Sequence, residues 1–209
     1  MDLQYFGANC IKITSRKASI IIDDNLVELG LKSVTKSGDI ALFGMDHKDP
    51  TQEVKLVIDY PGEYEASDVS IQGIAARGHM DEAGKLSATI YKMLIEDIRI
   101  VSLGHVYPEL NDEQLEAIGT VDVLLVPVGG NGYTLDPVGA LTMIKKIEPK
   151  LVIPTHYADN AINYPVPQQE LENALKELSM EARDTVDKLK LKPGDFVSDV
   201  TQLVVLNRQ

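Results

Sequence analysis

A chain of 209 residues fits one large domain or two small ones, and a single domain spanning 1–209 is expected. Lys and Arg number 20 against 32 Asp and Glu, a formal charge of −12 that repels a nucleic-acid backbone. A hydrophobic fraction of 44% excludes wholesale disorder, and Cys10, the one cysteine, excludes an intrachain disulfide and a cysteine zinc knuckle.

The opening M-D-L-Q-Y-F-G-A-N-C has no basic start and no small-residue cleavage site, so no signal peptide is expected. No apolar run approaches the ~18 residues of a membrane span. Together with the unpaired thiol this predicts a soluble cytoplasmic protein.

The first half reads as short strands. Leu3 to Phe6, Cys10 to Thr14 and Ser19 to Ile22 collect β-formers between turn residues, at a spacing that suggests antiparallel hairpins. Asp39 to Phe43, Val54 to Ile58, Val69 to Ala75, Thr89 to Ile95 and Arg99 to Leu103 follow. The second half alternates. Asn111 to Ile118 reads as a helix capped by Asn111, and V-D-V-L-L-V-P-V as a buried strand ended by Gly129-Gly130. Asp136-Pro137 opens a helix through Ile147, and Leu151 to Ile153 is again a buried strand. Pro167 to Leu178 and Glu181 to Leu189 read as helices, and Leu203 to Leu206 as a last strand. Basic spots at Lys145-Lys146 and Lys188 to Lys192 have acidic neighbours and read as solvated faces. The order predicts stacked sheets covered by helices.

The four histidines, His47, His79, His105 and His156, each lie just past a predicted strand. Loops at the ends of a rigid sheet are where ligands and catalytic groups collect. Asp49 stands two residues after His47, so both can point one way from an extended loop. Four imidazoles and a carboxylate suit a first-row metal. The plain alternative is four unrelated loop histidines, because no H-x-x-x-H or H-x-H pair is present.

Three segments carry a family resemblance. Y-F-G-A-N-C-I-K-I followed by S-I-I-I-D, ending at Asp23, is similar to the opening hairpin of the metallo-β-lactamase fold, in its small lactonase-like zinc-dependent hydrolase branch. D-Y-P-G-E-Y-E, and V-D-V-L-L-V-P-V-G-G running through Asp136-Pro137 to P-K-L-V-I-P-T-H-Y, resemble the same branch. The family signature H-x-H-x-D-H matches M-D-H-K-D-P, with Met45 and Pro50 where the family has histidines. His47 and Asp49 keep the family's residue types. His79 and His156 match later ligands, and His105 stands where the family has a bridging Asp.

The resemblance implies an α/β (α+β) fold, a four-layer αββα sandwich. It implies metal ligands at His47, Asp49, His79, His105 and His156, with Asp49 also positioned to take a proton from bound water. Methionine is a poor zinc ligand and proline has no side-chain donor, so one ion, zinc ahead of manganese or iron, is expected rather than two. Gly129, Gly130, Asn131 and Tyr133 would line the pocket mouth, although G-G-N-G is a turn first. Asp23 and Asp24 read as loop-capping or supporting residues, Tyr157 as a rim residue and Cys10 as a small core residue. The implied activity is hydrolysis of a small ester, lactone or phosphoester, with no nucleic-acid or membrane partner and room for self-association. The competing expectation is a member that has lost catalysis and binds a metal, ligand or partner.

Overall fold

The computed structural model describes residues 1–50, 52–198 and 200–209. The chain opens with β1 (Asp2–Gly7), β2 (Cys10–Thr14), β3 (Ser19–Ile22), β4 (Ile40–Leu42) and β5 (Leu56–Ile58). It continues through β6 (Gly62–Ala66), β7 (Val69–Ala76), β8 (Ala88–Ile95) and β9 (Ile98–Ser102). Then come α1 (Asp112–Ile118), β10 (Val123–Pro127), α2 (Pro137–Ile147), β11 (Leu151–Thr155), α3 (Leu171–Leu178), β12 (Asp184–Val186), β13 (Leu189–Lys190) and β14 (Gln202–Leu206).

These strands form two sheets, ordered β13-β1-β2-β3-β4-β5 and β12-β14-β11-β10-β9-β8-β7-β6. Alternation decides which face packs where. Ile11 and Ile13 of β2 and Ile20 and Ile22 of β3 join Ile71, Ile90 and Val123 of the other sheet in one apolar cluster. Cys10 and Ile21 point the opposite way and pack on Leu26, Leu31 and Val34. The outer face of the six-stranded sheet is thus covered by the 24–35 loop, and the helices belong with the eight-stranded sheet. α2 buries Ala140, Met143, Ile144 and Ile147, and packs on β10 and α3. The mixed α/β sandwich of two sheets expected from the sequence is present, with α1, α2 and α3 on the side of the eight-stranded sheet.

The structure departs from the sequence reading in three places. Residues 181–189 are two strands, not a helix: β12 runs parallel to β14 in one sheet, and β13 pairs antiparallel with β1 in the other. Ala182, Val186 and Leu189 have helical spacing, but the segment crosses between sheets and each half finds a strand edge. Gly62–Ala66, not read as a strand, is the edge strand β6 on β7. The helix read from Pro167 begins at Leu171, after an extended approach.

The register positions the site. β9, β10 and β11 are parallel neighbours, with Leu125 level with both Ser102 and Ile153. β7 points the same way, since it is separated from β9 by one antiparallel strand, β8. The carboxyl ends of β7, β9, β10 and β11 therefore open at one edge, where α/β sheets place ligands. Among the described residues no helix is long and apolar enough to cross a membrane.

Candidate metal centre

Three of the four histidines come off that edge. His156 follows β11 directly, in a left-handed conformation at φ 53°. A non-glycine residue holds that conformation only when its surroundings fix it. Here the His156 N–H donates to Ala8 O at 2.7 Å, and the Thr155 hydroxyl donates to Asn9 Oδ1 at 2.8 Å. The turn between β1 and β2 thus holds the end of β11. The His156 Nδ1 sits 3.0 Å from Gln168 Oε1, and the Gln168 amide nitrogen donates to Val166 O at 2.9 Å. Gly129 makes room for this contact: a Cβ there would lie 2.1 Å from both Gln168 Oε1 and His156 O.

His105 follows β9 through Gly104, with its Nδ1 3.2 Å from Tyr133 O. Its ring meets His156 edge to face, centroids 4.7 Å apart at 86°. Tyr133 and Tyr164 flank the pair, Tyr133 4.9 Å from His105 and Tyr164 4.9 Å from His156. His79, three residues past β7, donates its backbone N–H to His105 O at 2.7 Å and places Nδ1 3.3 Å from Val106 O.

The pair is dry, His105 being 4% and His156 1% exposed. Burial pushes His105 down to about 4, and burial with the neighbouring His105 pushes His156 down to about 3. Both rings are therefore neutral near pH 7. A carbonyl oxygen can only accept, so a neutral ring facing one through Nδ1 carries its proton there and its lone pair on Nε2. His79 faces Val106 O in the same way. This is the anchoring by which a protein presents Nε2 to a metal.

The remaining predicted ligands sit elsewhere. His47 stacks on Phe43 at 3.7 Å, and its Nδ1 and Nε2 lie 2.9 Å from Lys48 O and 3.2 Å from Asp59 Oδ2. Asp49 is exposed and lines a cleft with His47 and Asp59. Among the described residues, no group of three or more His, Cys, Asp or Glu side chains stands close enough to hold a metal ion. The five are thus not gathered in one cluster: His105 and His156 touch, His79 adjoins them through the backbone, and His47 and Asp49 keep company with Asp59.

Asp23 and Asp24 have supporting roles, as expected. Asp23 accepts from Gly44 N at 2.7 Å and is raised to about 6 by burial. Asp24 Oδ2 accepts from Ser33 Oγ, Val34 N, Thr35 N and Thr35 Oγ1 at 2.5–2.9 Å, which shapes the 24–35 loop. Cys10 is buried, as read. Tyr157 is not a rim residue: it is buried against Tyr5 and donates to Leu206 O at 3.2 Å. Tyr133 proves to be an anchor rather than a mouth residue, and Asn131 ties its turn to Pro167 O. Gln168 and Tyr164 went unread, since P-V-P-Q-Q and N-Y-P carry no spacing signal.

The chain is thus a two-sheet α/β sandwich with three histidines at the carboxyl ends of parallel strands. A family model described as the beta-lactamase superfamily domain matches residues 2–156, and the chain belongs to that family. It is 22% identical over 165 residues to a UPF0173 metal-dependent hydrolase of Archaeoglobus fulgidus, covering 79% of this chain and 66% of that one. It is 49% identical over 43 residues to a UPF0173 metal-dependent hydrolase of Carboxydothermus hydrogenoformans, covering 21% and 19%. These matches span less than two thirds of either relative's length. In structure the chain resembles a metallo-beta-lactamase superfamily protein of Thermotoga maritima, with a TM-score of 0.76 at 23% identity, covering 100% and 99% of the two chains. It also resembles a metallo hydrolase of Ignicoccus hospitalis, with a TM-score of 0.61 at 18% identity, covering 85% and 90%.

Proposed function

We propose that this chain is a metal-dependent hydrolase that holds one ion, zinc ahead of manganese or iron, and acts on a small ester, lactone or phosphoester. One observation supports the reading: His79, His105 and His156 each turn Nδ1 to a carbonyl oxygen, which leaves the Nε2 atom free to serve as a ligand. The donor chemistry of these three imidazoles fits one borderline ion such as zinc. It does not fit a second ion, because Met45 and Pro50 occupy the signature positions and His105 brings no charge to offset two cations. His105 and His156 are in ring contact and His79 adjoins them through its backbone N–H, so these three residues would be the ones to hold an ion. Three neutral ligands leave an ion's charge intact, and such an ion supplies Lewis-acid polarisation and an activated water. The chain's own part is to hold His105 and His156 neutral, face each Nδ1 with a carbonyl oxygen and keep the pair dry between Tyr133 and Tyr164. Under this reading His47 and Asp49 shape the neighbouring cleft, and Asp49 is the proton acceptor expected on that loop.

The second reading, a member that binds without catalysis, is favoured by one observation: no three candidate ligands stand in one cluster among the described residues. Elemental analysis of protein made without a His-tag or chelator, after zinc, manganese and iron supplementation, separates the two. About one ion per chain is expected, lost in His79→Ala and in His156→Ala along with any hydrolysis. A metal-free chain under all three conditions sinks the hydrolase reading.

A further inference from the structure

Beside the imidazoles lies a cleft of which the metal reading uses only His47 and Asp49. It measures about 580 Å³ and runs between the loop after β4 and the segments around β5 and before β8. Its volume is that of a site for a small organic molecule. Three carboxylates line it, Asp46, Asp49 and Asp59, against one cation, Lys85. Lys85 is already engaged, its Nζ 3.1 Å from Asp81 Oδ1 outside the cleft lining. Asp59 is steadied by His47, which is itself fixed by stacking on Phe43. The apolar part of the lining is exposed: Tyr60 is 70% and Leu86 59% accessible, with Met45 and Pro61 beside them. An aromatic ring and a leucine left in water next to unbalanced carboxylates make a surface that is apolar on one side and anionic on the other.

We propose that this cleft binds a small organic cation with an apolar body, an alkyl- or arylammonium, its charge against Asp46, Asp49 and Asp59 and its body against Tyr60 and Leu86. Charge complementarity selects this occupant. An anionic ligand meets three negative charges and a net −12 chain, whereas an ammonium is drawn in by both. Tyr60 adds a ring face to which a cation is attracted. The proposal does not depend on the metal reading, and its experiment needs no metal.

The test is isothermal titration of the full chain, at low salt, with phenethylammonium, 2-phenylethanol and 3-phenylpropionate. The ammonium is expected to bind at least about tenfold tighter than the neutral alcohol, and the carboxylate not to bind. Asp46→Asn combined with Asp59→Asn removes the preference for the ammonium, while Tyr60→Ala weakens ammonium and alcohol alike. Glu65→Gln, on the exposed side of β6, changes neither. Circular dichroism confirms that each variant is folded. The proposal is overturned by no ammonium binding in the millimolar range, by equal affinity for the alcohol, or by a preference for the ammonium that persists in the folded double variant. Displacement of the ammonium by equimolar calcium also overturns it, since the carboxylates would then serve an inorganic ion.

Discussion

At the scale of single residues, the candidate centre depends on groups that carry no chemistry themselves. Gly129 lets Gln168 reach His156, and any side chain at 129 collides with both the Gln168 amide oxygen and the His156 carbonyl. Gly129→Ala is therefore expected to cost about 1–3 kcal/mol in urea unfolding, the range for overpacking a tight site. Gln168→Ala tests the anchor alone. It leaves Nδ1 of His156 without its acceptor, so the ring should populate both tautomers, which long-range nitrogen–proton NMR spectra resolve. A His156 that keeps its proton on Nδ1 in that variant would show that something other than Gln168 sets the tautomer. The histidines stood out in the sequence, because there are only four and each follows a predicted strand. Their anchors were not: Tyr133 O, Val106 O and Gln168 come from distant positions, and two of the three are backbone carbonyls that no side-chain pattern reveals.

At the scale of elements, the parts with local chemical punctuation were readable. Asn111 was expected to cap α1, and it does so in a reciprocal box: its Oδ1 accepts from Gln114 N at 2.8 Å, and Gln114 Oε1 accepts from Asn111 N at 2.9 Å. Asp136 caps α2 one way, its Oδ1 accepting from Gly139 N at 2.7 Å. Asn111→Ala is expected to cost about 1 kcal/mol. Gln114→Ala should cost more, because Gln114 Nε2 also donates to Ala75 O at 2.8 Å and so ties α1 to β7. Paired denaturant melts check the order, and a Gln114 variant no less stable than the Asn111 variant would remove the tether from the account. Residues 181–189 failed as a helix for the converse reason. No cap marks the segment, and β12 and β13 exist only because β14 and β1 offer edges to them. Strands that owe their pairing to partners far along the chain are invisible to local spacing.

For the whole molecule, three buried titrating groups make acid stability a matter of proton counting. His105 and His156 are held neutral in the folded chain down to about pH 4 and 3, but in the unfolded chain they protonate near the ordinary histidine value of 6.5. Their contribution is complete above pH 6.5 and is lost as pH falls, because the unfolded chain then binds two protons that the folded chain refuses. Asp23 acts in the opposite sense. Burial raises it from 3.8 to about 6, so between those values the folded chain holds a proton that the unfolded chain releases. Its contribution is present at low pH and disappears as pH rises through 6. Between about pH 6 and 4 these three groups together leave the unfolded chain with about one extra proton, a slope of about 1.4 kcal/mol per pH unit. Asp23→Asn deletes the opposing proton and keeps an acceptor for Gly44 N, so the slope should steepen to about two protons in the same window. The measurement is urea unfolding of chelator-treated protein at half-unit steps from pH 6.5 to 4, since a bound metal would itself compete for the imidazoles. An Asp23→Asn slope equal to or shallower than that of the parent would mean that Asp23 is ionised throughout, and that the carboxylate beneath Gly44 is solvated rather than sealed between the sheets.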